Sequence, residues 1–215
     1  MSTAPKIENA ALAMDAWKKV VQTQEHFNEI CMKVRTLYAT VLAAILSLYG
    51  VFLKDSKDHE LEILGFYFDP LLFVTLAVFV TTTLFYFVDK DWYHRLLMGA
   101  VAQGTVIEER WGNILPEITL GSKISQHSPV DISDKLALVG FLKLFVNDER
   151  FKKTGKLHSV AKIQVFYKPI QCLSFWFFVI LCIFGGIQYE GRSLAGCLYQ
   201  WSTSQQLSIS ANRGA

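Results

Sequence analysis

Side chains able to do chemistry are thinly spread along this chain. Five histidines, His26, His59, His94, His127 and His158, stand far apart. No pair of them has the spacing of a metal site or of HExxH. Four cysteines, Cys31, Cys172, Cys182 and Cys197, show no CxxC step. Cys172 and Cys182 lie inside an apolar run, where a thiol acts as a small core residue. Neither a glycine-rich phosphate loop nor a GxSxG elbow occurs. Glu108-Glu109 reads as a solvated helix end rather than an acid/base pair. His94 beside Arg95 reads as interfacial rather than catalytic. The expectation is a protein that is not an enzyme, with no catalytic residue, no metal and no cofactor.

Two sets of residues suit other chemistry. Arg150, Lys152, Lys153, Lys156, Lys162 and Lys168 follow one another with no acidic residue between the first and the last. Cations beside an anionic leaflet gain about 1 kcal/mol each. The same charges suit a phosphorylated ligand such as a nucleotide or short oligonucleotide. The lipid reading is the simpler one. The second set is Asp69, Ser47, Thr81 and Thr82, polar residues within apolar segments. In a ring of copies they would line a pore, with Asp69 as an acidic mouth favouring cations. In a single copy Asp69 caps the helix that Pro70 opens, and the threonine hydroxyls bond back to their own helix.

Three apolar runs set the elements that must position these residues: Leu37–Leu53, Leu64–Val88 and Pro169–Tyr189. About 20 helical residues cross a hydrocarbon core of about 30 Å, and a helix satisfies its own backbone there. A charged connection, Lys54–Ile63, separates the first two runs. Apolar residues make up 52% of the 215, and charged residues 19%, which fits a membrane protein with substantial wet segments. The predicted fold is an all-α membrane protein: three transmembrane helices, a long N-terminal amphipathic helix and a cytoplasmic helical insertion. Its parts are an amphipathic, oligomerising helix over 7–35, a transmembrane hairpin over 36–88, and a cytoplasmic helical region over 89–168. A third transmembrane helix over 169–189 and an outward polar tail over 190–215 complete it.

From Ile7 to Arg35 the pattern is helical. Ala10, Ala13, Trp17, Val20, Gln24, Phe27, Cys31, Val34 and Tyr38 form a heptad seam, with Gln24 as its polar interruption. Either copies coil together there, or the seam packs on this chain's own wet part or on the lipid surface. Ala39, Ala43, Ser47 and Gly50 make a small-residue stripe suited to the second span or to a copy. Helical periodicity resumes from Tyr93 to Trp111, where Gly99, Ala100, Ala102 and Gly104 allow tight packing on the N-terminal helix. Residues 113–133 read as irregular, and Asp131 or Ser133 would cap a short helix through Leu136, Leu138, Leu142 and Phe145. Residues 1–36 and 89–168 carry 17 Lys/Arg, against 4 in 54–63 and 190–215. That bias predicts a cytoplasmic N-terminus and an outward C-terminus in a cell inner membrane.

The run Asp91-Trp-Tyr-His-Arg-Leu-Leu-Met-Gly-Ala-Val, followed by Ile107-Glu-Glu, resembles the helix after a two-span hairpin in small bacterial membrane proteins of anti-phage defence operons. SLATT-type effectors and nucleotide-gated membrane effectors share this layout, which covers residues 36–111 here. The resemblance implies a membrane-disrupting or channel-forming effector, silent until a partner enzyme signals infection. The expected function is an oligomeric channel or pore-forming effector gated by a cytoplasmic signal. Its expected partners are the lipid bilayer, copies of itself, and a nucleotide or oligonucleotide ligand or a cytoplasmic enzyme. The alternative is a non-conducting anchor that holds such an enzyme at the membrane.

Overall fold

The computed structural model describes residues 9–55, 61–63, 66–131, 143–184, 187–189 and 192–193, and the chain is mostly helical. Helix α1, Ala10–Asp55, is one unbroken element of 46 residues. With no proline and only Gly50 near its end, nothing in it stops the helix, which is roughly 70 Å long. The N-terminal helix therefore does run straight into the first apolar stretch. A second rod joins α2 (Pro70–Phe87), a π-helical turn (Val88–Tyr93) and α3 (His94–Trp111). Then come α4 (Leu120–His127), α5 (Glu149–Thr154) and α6 (Ser159–Phe184). The three long rods are each long and apolar enough to cross a membrane. Only 6% of the most apolar stretch of α1 and 11% of that of α6 is buried, against 33% for the second rod. Apolar surface left bare on this scale calls for lipid or another chain.

Two of these helices do not keep the bounds of the apolar runs. The second opens at Pro70, not Leu64. Asp69 caps it as expected: Leu71 N donates to Asp69 Oδ1 at 2.8 Å, and Pro70 takes the first-turn place where its missing N–H costs nothing. The residues ahead of it form a hairpin, β1 (Leu61–Ile63) with β2 (Phe66–Phe68). The third ends at Phe184, and β5 (Ile187–Tyr189) pairs with β2, while β6 (Arg192–Ser193) pairs with β5. The all-α expectation is corrected by this four-stranded antiparallel sheet, β1-β2-β5-β6, and by a two-stranded ribbon of β3 (Val130–Asp131) with β4 (Lys156–Leu157). Aromatic and branched residues prefer strands, and next to an apolar run they pass for part of it. Residues 113–133 are not wholly irregular either, since α4 lies within them. The expected helix through Leu136 lies largely outside the described residues, as do the start of the chain and most of the tail.

The chain forms two compact units, Met1–Tyr38 with Thr83–Pro169, and Ala39–Thr82 with Ile170–Ala215. In the first, the α1 seam is spent inside the chain. Ala13, Cys31 and Tyr38 are buried, while Trp17, Val20, Gln24, Phe27 and Val34 are half-buried. Gln24 Nε2 donates to Ala100 O of α3 at 3.1 Å. It lies so close to Gly104 that a Cβ there would sit 2.7 Å from Nε2. The seam packs on α3 of its own chain. Gly99 and Ala102, expected in the same contact, are exposed. Tyr38 closes this unit against the rings of Phe85, Phe166 and Tyr167, with centroids 5.5, 5.8 and 4.8 Å away. In the second unit Tyr49 meets Phe177 and Phe79 meets Phe175. The small-residue stripe Ala39, Ala43, Ser47 and Gly50 is exposed along its length.

Candidate functional site

Asp89 is fully buried, a place a carboxylate holds only with a partner. It enters the core from the π-helical turn, which the His94 amide closes onto the Asp89 carbonyl. Such a turn holds one residue more than an α-turn, so it re-aims the faces on either side of it. Arg35 of α1 meets the carboxylate with two prongs, Nε to Oδ2 at 2.7 Å and Nη2 to Oδ1 at 3.2 Å. The Arg35 side chain stays 31% exposed, while that of Asp89 is wholly covered. Breaking a pair of this kind by removing one partner costs about 3–5 kcal/mol.

Three neutral groups surround the pair. Burial pushes the Cys31 thiol up, and the Asp89 charge adds to that. The Tyr167 hydroxyl, from a residue of α6 that is itself fully buried, is pushed up for the same two reasons. It lies toward Asp89 without closing a hydrogen bond of good geometry. His94 is buried, and its Nε2 has no partner among the described residues. Burial pushes this imidazole below its ordinary value; Asp89 opposes the shift and Arg35 adds to it. The cluster thus holds one anion, one cation and three protonable groups in their uncharged forms. A thiol pushed up is a poor nucleophile, and no group of three His, Cys, Asp or Glu among the described residues is placed to hold a metal. What the arrangement offers is a latch between α1 and the base of α2. Reading the sequence missed it, although a signal existed: Arg35 and Asp89 are opposite charges, each abutting an apolar run at what the charge bias makes the same face.

Glu108 is the second correction. It is buried, while Glu109 is exposed. Its Oε1 accepts from Gly121 N at 2.7 Å and Trp17 Nε1 at 3.2 Å, and its Oε2 from Ser122 N at 2.9 Å and Ser122 Oγ at 2.8 Å. Burial alone would raise this carboxyl; the donors outweigh it and hold the group below the usual carboxylate range. Glu108 so ties α1, α3 and α4 together and supplies the cap that α4 lacks locally.

The basic residues lie on three elements. Arg150, Lys152 and Lys153 are exposed on α5, which Asp148 caps; Lys156 is on β4; Lys162 and Lys168 are on α6. Lys152 Nζ donates to Asn147 Oδ1 at 3.1 Å, and Lys162 Nζ to Ser128 O at 2.7 Å. Among the pore candidates, Ser47 Oγ donates to Ala43 O and Thr82 Oγ1 to Val78 O, so both hydroxyls bond back to their own helices. Thr81 and Asp69 are half-buried.

No protein-family model, curated protein or solved structure matches this chain.

Proposed function

We propose that the protein is a membrane channel or pore-forming effector that assembles from copies of itself and is gated from its wet side. Its place would be a cell inner membrane, with the N-terminus in the cytoplasm and the tail outside. The observation that carries this reading is the bare face of α1. Ala39, Ala43, Ser47 and Gly50 are exposed, and such a stripe lets helices of separate copies approach. One turn before Ala39, the same rod is held by Arg35 to Asp89. One helix thus offers a surface to its copies and a latch to its own chain, which is the layout a gate needs. The likeness of Asp91–Val101 to SLATT-type effectors points the same way. A cytoplasmic enzyme or a phosphorylated ligand at Arg150, Lys152 and Lys153 would supply the signal.

The test is subunit number in lipid nanodiscs together with potassium release from liposomes holding the purified protein. Wild type is expected as a closed ring that stays shut without its signal, and Asp89→Asn, which breaks the latch, as the same ring releasing potassium. Ala43→Leu, which fills the stripe, is expected to lose the ring, and the release when combined with Asp89→Asn, while keeping its helix content. A monomer that stays impermeable, in wild type and in Asp89→Asn alike, would overturn the channel reading in favour of an anchor.

A further inference from the structure

His94 brings into the core a ring nitrogen with no partner among the described residues, beside a salt bridge that is already complete. Among the described residues, Asp89 of the π-helical turn and Arg35 of α1 act on its ring, and its own amide donates to Asp89 O. Cys31 of α1 and Tyr167 of α6 face that same pair, with Tyr38 against the Tyr167 ring. The remaining nearby charges are engaged elsewhere: Asp91 lies 3.4 Å from Arg95 and 4.0 Å from Lys90. Asp89 is therefore the carboxylate that His94 answers to.

We infer that His94 is a proton-operated release for the Arg35–Asp89 latch: once protonated, its imidazolium takes the carboxylate and Arg35 leaves for solvent. With His94 neutral, the site holds one cation and one anion and sums to zero. A proton taken from water makes two cations for one buried anion. A buried excess charge is costly, so one cation must go. Arg35 is the one that can. Its guanidinium is 31% exposed and sits on a long stem that can snorkel out. His94 is 5% exposed and is fixed one π-turn from Asp89 on the same rod. Burial places the event below the ordinary imidazole value of 6.5, so the latch holds at neutral pH and opens in acid. A metal in the same pocket is disfavoured, because Arg35 already supplies the positive charge. The release itself stands without the channel reading; only its effect on permeation rests on it.

The experiment is a double-mutant cycle at Arg35 and Asp89, read as melting temperature in nanodiscs at about pH 8 and about pH 5.5, on either side of the imidazole range. Arg35→Gln, Asp89→Asn and the pair are compared in the wild-type and His94→Gln backgrounds. The coupling is expected to fall by at least about half in acid with His94 present, and to persist with Gln at 94. Equal coupling at both pH values, or an equal fall in the His94→Gln background, would overturn the proposal. Should the Asp89 variants fail to fold, ring-labelled histidine NMR on wild type replaces the cycle, with His94 assigned by its loss in His94→Gln. A His94 signal that titrates together with the Arg35 Nε signal supports the release; one that stays neutral to about pH 5 removes it. Potassium release on acidification separates the two readings. Lost coupling without flux keeps the switch and discards the channel.

Discussion

Glu108 shows what one side chain contributes when donors from two other elements converge on it. Glu108→Ala leaves Gly121 N, Ser122 N and Trp17 Nε1 without their acceptor, and orphaned buried donors cost about 1–3 kcal/mol each when no water reaches them. Part of that loss is recovered by relaxation at the end of α4, so we expect a net destabilisation of about 2–4 kcal/mol, read from thermal melting in detergent. The pH dependence has a definite sign. The folded carboxyl lies below its unfolded value of 4.5, so its stabilisation is complete above that value and is lost as pH falls through the folded one. Wild type should therefore lose more stability than Glu108→Gln between about pH 5 and about pH 3. Parallel losses in the two proteins would mean that the carboxylate is not held as described. None of this was legible at the residue scale. Trp17 is 91 positions away from Glu108, and the amides of Gly121 and Ser122 belong to the backbone, which leaves no mark in residue type. A pair of adjacent glutamates beside an arginine looks the same whether it is solvated or clasped.

Between elements, the contact of α1 with α3 turns on the absence of a side chain. A Cβ at Gly104 would lie 2.7 Å from Gln24 Nε2, the flexible end of a side chain. Gly104→Ala forces that amide aside and breaks its bond to Ala100 O, at a cost of about 1 kcal/mol, which roughly cancels the gain in helix propensity. Gly99, on the same helix, has nothing within 4 Å of a Cβ, so Gly99→Ala should stabilise by about 0.5–1 kcal/mol. Melting temperatures of the two variants are expected to separate, with Gly99→Ala the higher; the reverse order would put α3 on α1 by its other face. The elements were far more legible than their contacts. The seam from Ala13 to Tyr38 was readable because burial follows period alone, and α1 ran through as one helix because nothing in it breaks one. Leu61–Ile63, Phe66–Phe68 and Ile187–Tyr189 were not readable as strands. The first lies in the charged connection and the other two inside apolar runs, and strand pairing between positions more than a hundred residues apart has no local signature.

For the whole molecule, the charge bias and the β2–β5 pairing each fit the proposed three-crossing layout. The 17 Lys/Arg of residues 1–36 and 89–168 favour the cytoplasm. The β2–β5 pairing joins a segment ahead of α2 to one that follows α6, which requires an even number of crossings between them, and α2 and α6 supply two. Three crossings satisfy both conditions, whereas two crossings with α6 lying in the wet part would leave β5 on the side away from β2. Single-cysteine variants at Tyr67 and Lys153, in a background with the native thiols replaced by serine, separate these arrangements. A membrane-impermeant maleimide applied to intact cells is expected to label Tyr67→Cys, and to reach Lys153→Cys only after lysis. Labelling of both from outside, or of Lys153→Cys alone, contradicts the three-crossing layout. It would also take the Arg35–Asp89 latch off the cytoplasmic face, because Arg35, Asp89 and Lys153 all belong to the same compact unit. The direction of any acid response depends on that placement: a latch in this unit answers to the compartment that Lys153 faces.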